Sequence, residues 1–70
     1  MHIQILFGKN LRRLRMKRRF SQEKLAELAG LHSNYIGRIE RGQQSATAVY
    51  IVKLARALRV KPGELFKGIR

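Results

Sequence analysis

The stretch Ser33-Asn34-Tyr35-Ile36-Gly37-Arg38-Ile39-Glu40-Arg41 carries the side chains with the most chemical information in this 70-residue chain. Asn34 and Arg38 stand four residues apart, the spacing that places two side chains on one face of a helix. An asparagine amide can make two hydrogen bonds to adenine, and an arginine guanidinium can make two to guanine O6 and N7. Each such pair discriminates against a wrong base by about 1–3 kcal/mol. Ser33, Gly37 and Arg41 fall on the same outward side, whereas Ile36 and Ile39 fall on the other. Gly37 inside a helix costs about 1 kcal/mol relative to alanine. It either lets the helix sit deeper in a groove or is simply tolerated.

The chemistry of bond making is poorly supplied. The sequence has four glutamates, no aspartate, two histidines and no cysteine. His2 and His32 are far apart and have no second ligand at helical spacing. Few general acids, bases or metal ligands remain, so the chain is expected not to be an enzyme, and neither a cofactor nor a metal is expected. Sixteen Lys and Arg against those four acids give a net charge of +12, which speaks about partners and solubility, not fold. The expected partner is a polyanion, above all nucleic acid.

The elements that would position these residues read at helical period. A first helix over about Ile5–Arg18 has Phe7, Leu11 and Leu14 as its apolar stripe. Its other faces carry Lys9, Arg12, Arg13, Arg15, Lys17 and Arg18, a run of bases that exceeds what solubility needs. Such a helix can also lie on anionic lipid, but a capped helical core would hide the apolar stripe, so no membrane partner is expected. Ser21 reads as an N-cap, with Phe20 and Leu25 at the staple positions around it. A second helix covers Gln22–Ala29 and stops at Gly30. A third runs from about Ser33 to Arg41 and is closed by Gly42. Thr47 caps a fourth, Ala48 to about Leu58, whose core face is Ile51, Leu54, Ala55 and Leu58. Pro62 opens a short fifth helix carrying Leu65 and Phe66. Ile3-Gln4-Ile5 alternates like a strand but is too short to assign. The apolar run Met1–Phe7 is too short for a signal peptide or a membrane span.

The expectation is therefore a single all-α domain over residues 1–70, a compact five-helix bundle, complete in itself. Two helices joined by a short turn containing Gly30 make a helix-turn-helix. Ala26 is small where the helices would cross, and Leu25, Leu31, Ile36 and Ile39 form the wedge between them. Val49, Tyr50 and Val52 lie off the core face of the fourth helix. They form either an interface with a second copy or a surface covered by the fifth helix or the N-terminal segment. Glu40, inward-facing amid positive charge, is expected to pair with Arg15 or Arg12.

The segments Ser21-Gln22-Glu23-Lys24-Leu25-Ala26, Gly30-Leu31, Tyr35-Ile36 and Arg38-Ile39-Glu40-Arg41-Gly42 resemble the Xre/Cro-type helix-turn-helix family of phage repressors and Cro proteins. Leu11-Arg12-Arg13-Leu14-Arg15, Lys53 to Leu58 and Glu64-Leu65-Phe66 extend the resemblance to about residues 5–67. Leu31-His32 with Tyr35-Ile36 is similar to the small controller proteins of restriction–modification genes. The resemblance implies a lambda-repressor-like DNA-binding domain that acts as a homodimer on a palindromic operator of double-stranded DNA, in a bacterial or phage cytoplasm. It implies that Ser33, Asn34 and Arg38 meet base edges, that Gln22, Tyr35 and Arg41 touch phosphates, and that Arg15 and Glu40 form an ion pair; the residues alone let Tyr35 be core packing as readily as a phosphate contact. Nothing in the sequence itself offers a pocket for a small-molecule ligand, and none is expected.

The sequence departs from the family at three places. Arg19 stands where glycine is common, His32 where a Ser or Thr cap is usual, and Ala48 where a leucine packs. Two other classes compete with the regulator: an antitoxin-like module that binds a partner protein, and a protein that coats nucleic acid without reading it.

Overall fold

In the computed structural model, residues 2–69 are described; Met1, Arg70 and the side chain of His2 lie outside that description. Helix α1 spans His2–Lys17, starting earlier than its periodicity suggests. Ile3-Gln4-Ile5 is thus helical. Ile5 lies against Gly42, where an added Cβ would come within 2.9 Å of Ile5 Cγ1. The Gln4 side chain donates a hydrogen bond to Ser45. Contacts with the loop after the third helix therefore hold the first turn, and no local repeat announces them.

Phe7, Leu11 and Leu14 form the buried stripe of α1. Helix α2 is Gln22–Ala29, capped by Ser21, whose hydroxyl accepts from the Lys24 amide at 2.9 Å. Helix α3 is Ser33–Glu40, preceded by His32 in extended conformation with no side-chain capping bond. Helix α4 is Ala48–Leu58, and the Thr47 hydroxyl accepts from the Tyr50 amide at 3.2 Å.

The expected fifth α-helix is a 3-10 helix over Pro62–Phe66, so the described residues form four α-helices and one 3-10 turn. Five residues with one buried apolar side chain, Leu65, offer too little packing to extend an α-helix, and the tighter i→i+3 pattern suits a short piece. Asn10 holds this segment to α1: its amide nitrogen donates to the carbonyls of Leu65 and Lys67, each at 2.9 Å. Phe66 meets Phe7 edge-on, with ring centroids 5.3 Å apart.

All four α-helices close in the same way. An amide two residues past the end of α2 and α4, and three past the end of α1 and α3, reaches back to a carbonyl five positions earlier: Phe20 to Arg15, Leu31 to Ala26, Gln43 to Arg38 and Val60 to Ala55. This six-to-one closure requires a left-handed residue just before the donor. Those residues are Arg19, Gly30, Gly42 and Arg59, with φ of 60°, 72°, 74° and 57°. The two glycines are at home there; the two arginines carry a Cβ that this conformation penalises.

Leu11, Leu25, Ile36, Ile39, Leu54, Leu58 and Leu65 are fully buried at the centre. Helix α3 packs on both α1 and α2, and α4 packs on α2. The crossing of α1 with α3 is made backbone to backbone at Gly8, where a Cβ would lie 2.2 Å from the Ile39 carbonyl oxygen. Any larger residue would push α3 outward, so Gly8 sets how α3 is seated.

Candidate nucleic-acid interface

The inner face of α3 is immobilised first. Ile36 and Ile39 are fully buried, and Glu40 at the end of the helix is clamped from α1. Arg15 Nε donates to Glu40 Oε2 at 2.6 Å and Arg15 Nη2 to Oε1 at 3.0 Å, a bidentate pair. A third Arg15 donor, Nη1, reaches the Phe20 carbonyl at 2.8 Å. The Gln22 amide donates to Glu40 Oε1 at 3.1 Å, so three elements meet on one carboxylate. Its side chain is 4% exposed and that of Arg15 is 12% exposed. Low dielectric strengthens such a bond and makes a missing partner expensive. Arg12, the other partner left open by the sequence, instead directs its Nε to Met16 Sδ at 3.5 Å.

With its inner side fixed, α3 presents an open concavity lined by Gln22, Ser33, Asn34, Gly37, Arg38 and Arg41, with Gln43 at its edge. Asn34, Arg38 and Arg41 are exposed, Ser33 and Gln22 half-buried. Gly37 clears a seat for Arg41: an added Cβ would lie 3.1 Å from Arg41 Nη1 and 3.5 Å from Gln22 Oε1. Missing side-chain volume thus lets a guanidinium lie across the helix beside Gln22.

Tyr35 is set apart from the other residues expected at DNA. It is buried, its ring meets Tyr50 edge-on at 5.1 Å, and its hydroxyl donates to the Ser45 carbonyl at 3.1 Å. Burial, and next the neighbouring Tyr50, push its pKa above the ordinary tyrosine value. Tyr35 therefore ties the loop after α3 to the core and stays protonated at neutral pH.

Two side chains in that loop, Gln43 and Gln44, were legible only as polar loop residues. Gln44 Oε1 accepts from Arg38 Nε at 2.8 Å, and Gln43 Oε1 accepts from Arg41 Nε at 3.3 Å. Only their position straight after the outward-facing arginines signals a role.

The residues expected at an interface with a second copy are also placed. Val49 is 62% exposed and Val52 is 40% exposed, so the 3-10 helix and the N-terminal turn leave both open. Tyr50 is half-buried, with Lys53 Nζ 5.7 Å from its ring centre. Among the described residues, no group of three His or acidic side chains is arranged to hold a metal ion. No helix there is long and apolar enough to cross a membrane.

A four-helix domain with a locked inner face on α3 and amide and guanidinium groups on its outer face is the architecture of a helix-turn-helix protein. The family model for the helix-turn-helix matches residues 11–65, and the chain belongs to that family. It is 43% identical over 65 residues to the control protein C.BamHI of Bacillus amyloliquefaciens, covering 91% of this chain and 80% of that protein. Among solved structures it superposes on the restriction-modification controller protein C.AhdI from Aeromonas hydrophila with a TM-score of 0.92. That match has 47% identity and covers 94% of this chain and 100% of the other. The P22 c2 repressor, solved in complex with a synthetic operator, matches with a TM-score of 0.82 at 27% identity, over 89% of this chain and 94% of its own.

Proposed function

We propose that this protein is a small transcriptional regulator that reads double-stranded DNA by placing α3 in the major groove. The observation that carries the reading is the asymmetry of α3: one face held by Ile36, Ile39 and the Arg15–Glu40 pair, the other offering Asn34 and Arg38 to solvent. Rigid support on one side lets base contacts on the other discriminate, because a loosely held helix forfeits the geometry that bidentate bonds need. In this reading Ser33, Asn34 and Arg38 face base edges, while Gln22 and Arg41 contact phosphates. Gln22 spends one amide hydrogen on Glu40 and keeps the other for DNA. Tyr35 steadies the loop, its hydroxyl hydrogen already given to Ser45.

The functional protein is proposed to be a homodimer joined through Val49, Val52 and Tyr50, acting in the cytoplasm. Two copies of α3 then meet a palindromic operator with half-sites about 10 bp apart, or a multiple of that. The likeness to two control proteins, C.BamHI and C.AhdI, supports control of restriction–modification genes. No catalytic step and no cofactor enter this proposal.

Selection from a random duplex library at about physiological salt, where specific and electrostatic binding separate, tests it. The expected outcome is enrichment of a two-fold symmetric motif. Arg38→Ala should then flatten preference at one base pair per half-site, whereas Arg41→Ala should weaken all duplexes about equally. Binding without enrichment would show a coating protein and refute the reading.

A further inference from the structure

A guanidinium offers two bidentate edges, one made of Nε and one Nη and the other of both Nη groups. Arg38 has already committed its Nε, which donates to Gln44 Oε1 at 2.8 Å. The edge left for a base is the one between the two terminal nitrogens. We propose that Gln44 is a positioning residue that fixes this choice, so that Arg38 approaches guanine O6 and N7 end-on. The inference rests on the DNA-reading function above and deepens it by assigning the origin of one base preference.

Gln44 can do this because the loop that carries it is tied on both sides. On one side the Gln43 amide donates to the Arg38 carbonyl at 2.9 Å. On the other, the Ser45 carbonyl accepts from the Tyr35 hydroxyl at 3.1 Å, and the Ser45 hydroxyl accepts from Gln4 of α1. The backbone on either side of Gln44 is therefore held to the core. A long exposed arginine samples many rotamers, and this bond removes part of that freedom before DNA arrives. Preorganisation of this kind sharpens binding by reducing what must be ordered at contact. Gln43 and Arg41 make the weaker version. Their separation of 3.3 Å lies beyond the usual N–H···O range of about 2.7–3.2 Å, so the proposal is confined to Gln44.

Three variants and one set of duplexes test it: Gln44→Met, which keeps length and loses the acceptor; Gln44→Glu, which keeps an acceptor; and Arg38→Ala. Affinity is measured for the selected operator and each single-base-pair change in one half-site. Gln44→Met should lower discrimination about three- to tenfold, the worth of one net hydrogen bond, only at the base pair that Arg38→Ala flattens. Gln44→Glu should restore it, and the melting temperatures should match the parent protein. In the free protein, the Arg38 Nε–H resonance should shift and exchange faster in Gln44→Met. Flattening by Arg38→Ala alone, an unmoved Nε–H resonance, or an equal loss at every position would each overturn the positioning role while leaving DNA reading intact. A parent protein with no preferred base at any position would overturn both.

Discussion

The carboxylate of Glu40 is the residue on which the site turns. It accepts from Arg15 twice and from Gln22 once, joining α1, α2 and the end of α3. Glu40→Ala would leave Arg15 without a counter-charge in a place where little water reaches it. Breaking a pair of this kind by removing one member costs about 3–5 kcal/mol, a large part of what a domain this size commands. The variant should melt far below the parent in calorimetry, and Arg15→Met with Glu40→Met should recover much of the loss. An unchanged melting temperature for Glu40→Ala would show the pair to be ornamental.

Tyr35 gives a second test at this scale, through pH. Its hydroxyl pKa is raised in the folded state by burial, so the unfolded chain ionises first, at about pH 10. Stability is then fully present below that pH and is lost as pH rises through the raised folded value. Tyr35→Phe should lose about 1 kcal/mol at neutral pH with its bond to Ser45, yet fall off less steeply above pH 10. Chemical denaturation across that range reads both effects. The sequence made Glu40 legible as inward-facing but left two arginines open, since Arg12 and Arg15 differ only in where α3 crosses α1. It could not show that the Tyr35 hydroxyl points to a loop carbonyl, because that depends on the path of residues 43–47.

At the level of elements, helices α2 and α4 begin and end where their caps and stripes place them, because Ser21, Gly30 and Thr47 act locally. What escaped local reading was set by contact. The first turn of α1 is helical because Gln4 and Ile5 meet the loop after α3. The last segment is 3-10 because only Leu65 is buried there. Gly8 shows no signal in a period count, yet its missing Cβ is what lets α1 touch the backbone of α3. Gly8→Ala should therefore destabilise by about 1–3 kcal/mol through overpacking and weaken DNA binding by displacing α3.

Arg19 and Arg59 point the other way. Both sit at left-handed helix ends, with φ of 60° and 57°, where Gly30 and Gly42 do the same work without strain. Arg19→Gly and Arg59→Gly should each stabilise by about 1 kcal/mol, raising the melting temperature by several degrees in a domain this small. A lower melting temperature would mean that these arginines earn their places through their side chains. Arg59 also offers its carbonyl to Arg18 Nη2 at 3.4 Å, but that carbonyl remains in the glycine variant.

For the whole molecule, the charge of +12 both attracts DNA and makes two copies repel, so a dimer in solution needs an apolar seam. Val49 and Val52 are the open apolar side chains of α4, at 62% and 40% exposure, and neither contributes to the core. Val52→Glu should therefore leave the monomer within about 0.5 kcal/mol of the parent, as surface changes do. Across a two-fold axis the same change brings two carboxylates together and buries them against valine, which opposes association. Sedimentation should show the parent as a dimer and Val52→Glu as a monomer at the same concentration. On DNA, two linked half-sites bind far more tightly than either alone, so the variant should lose most of its affinity for the full operator. It should bind an isolated half-site as the parent protomer does. If Val52→Glu still dimerises, the seam lies elsewhere on the molecule and the half-site spacing must be set by another face.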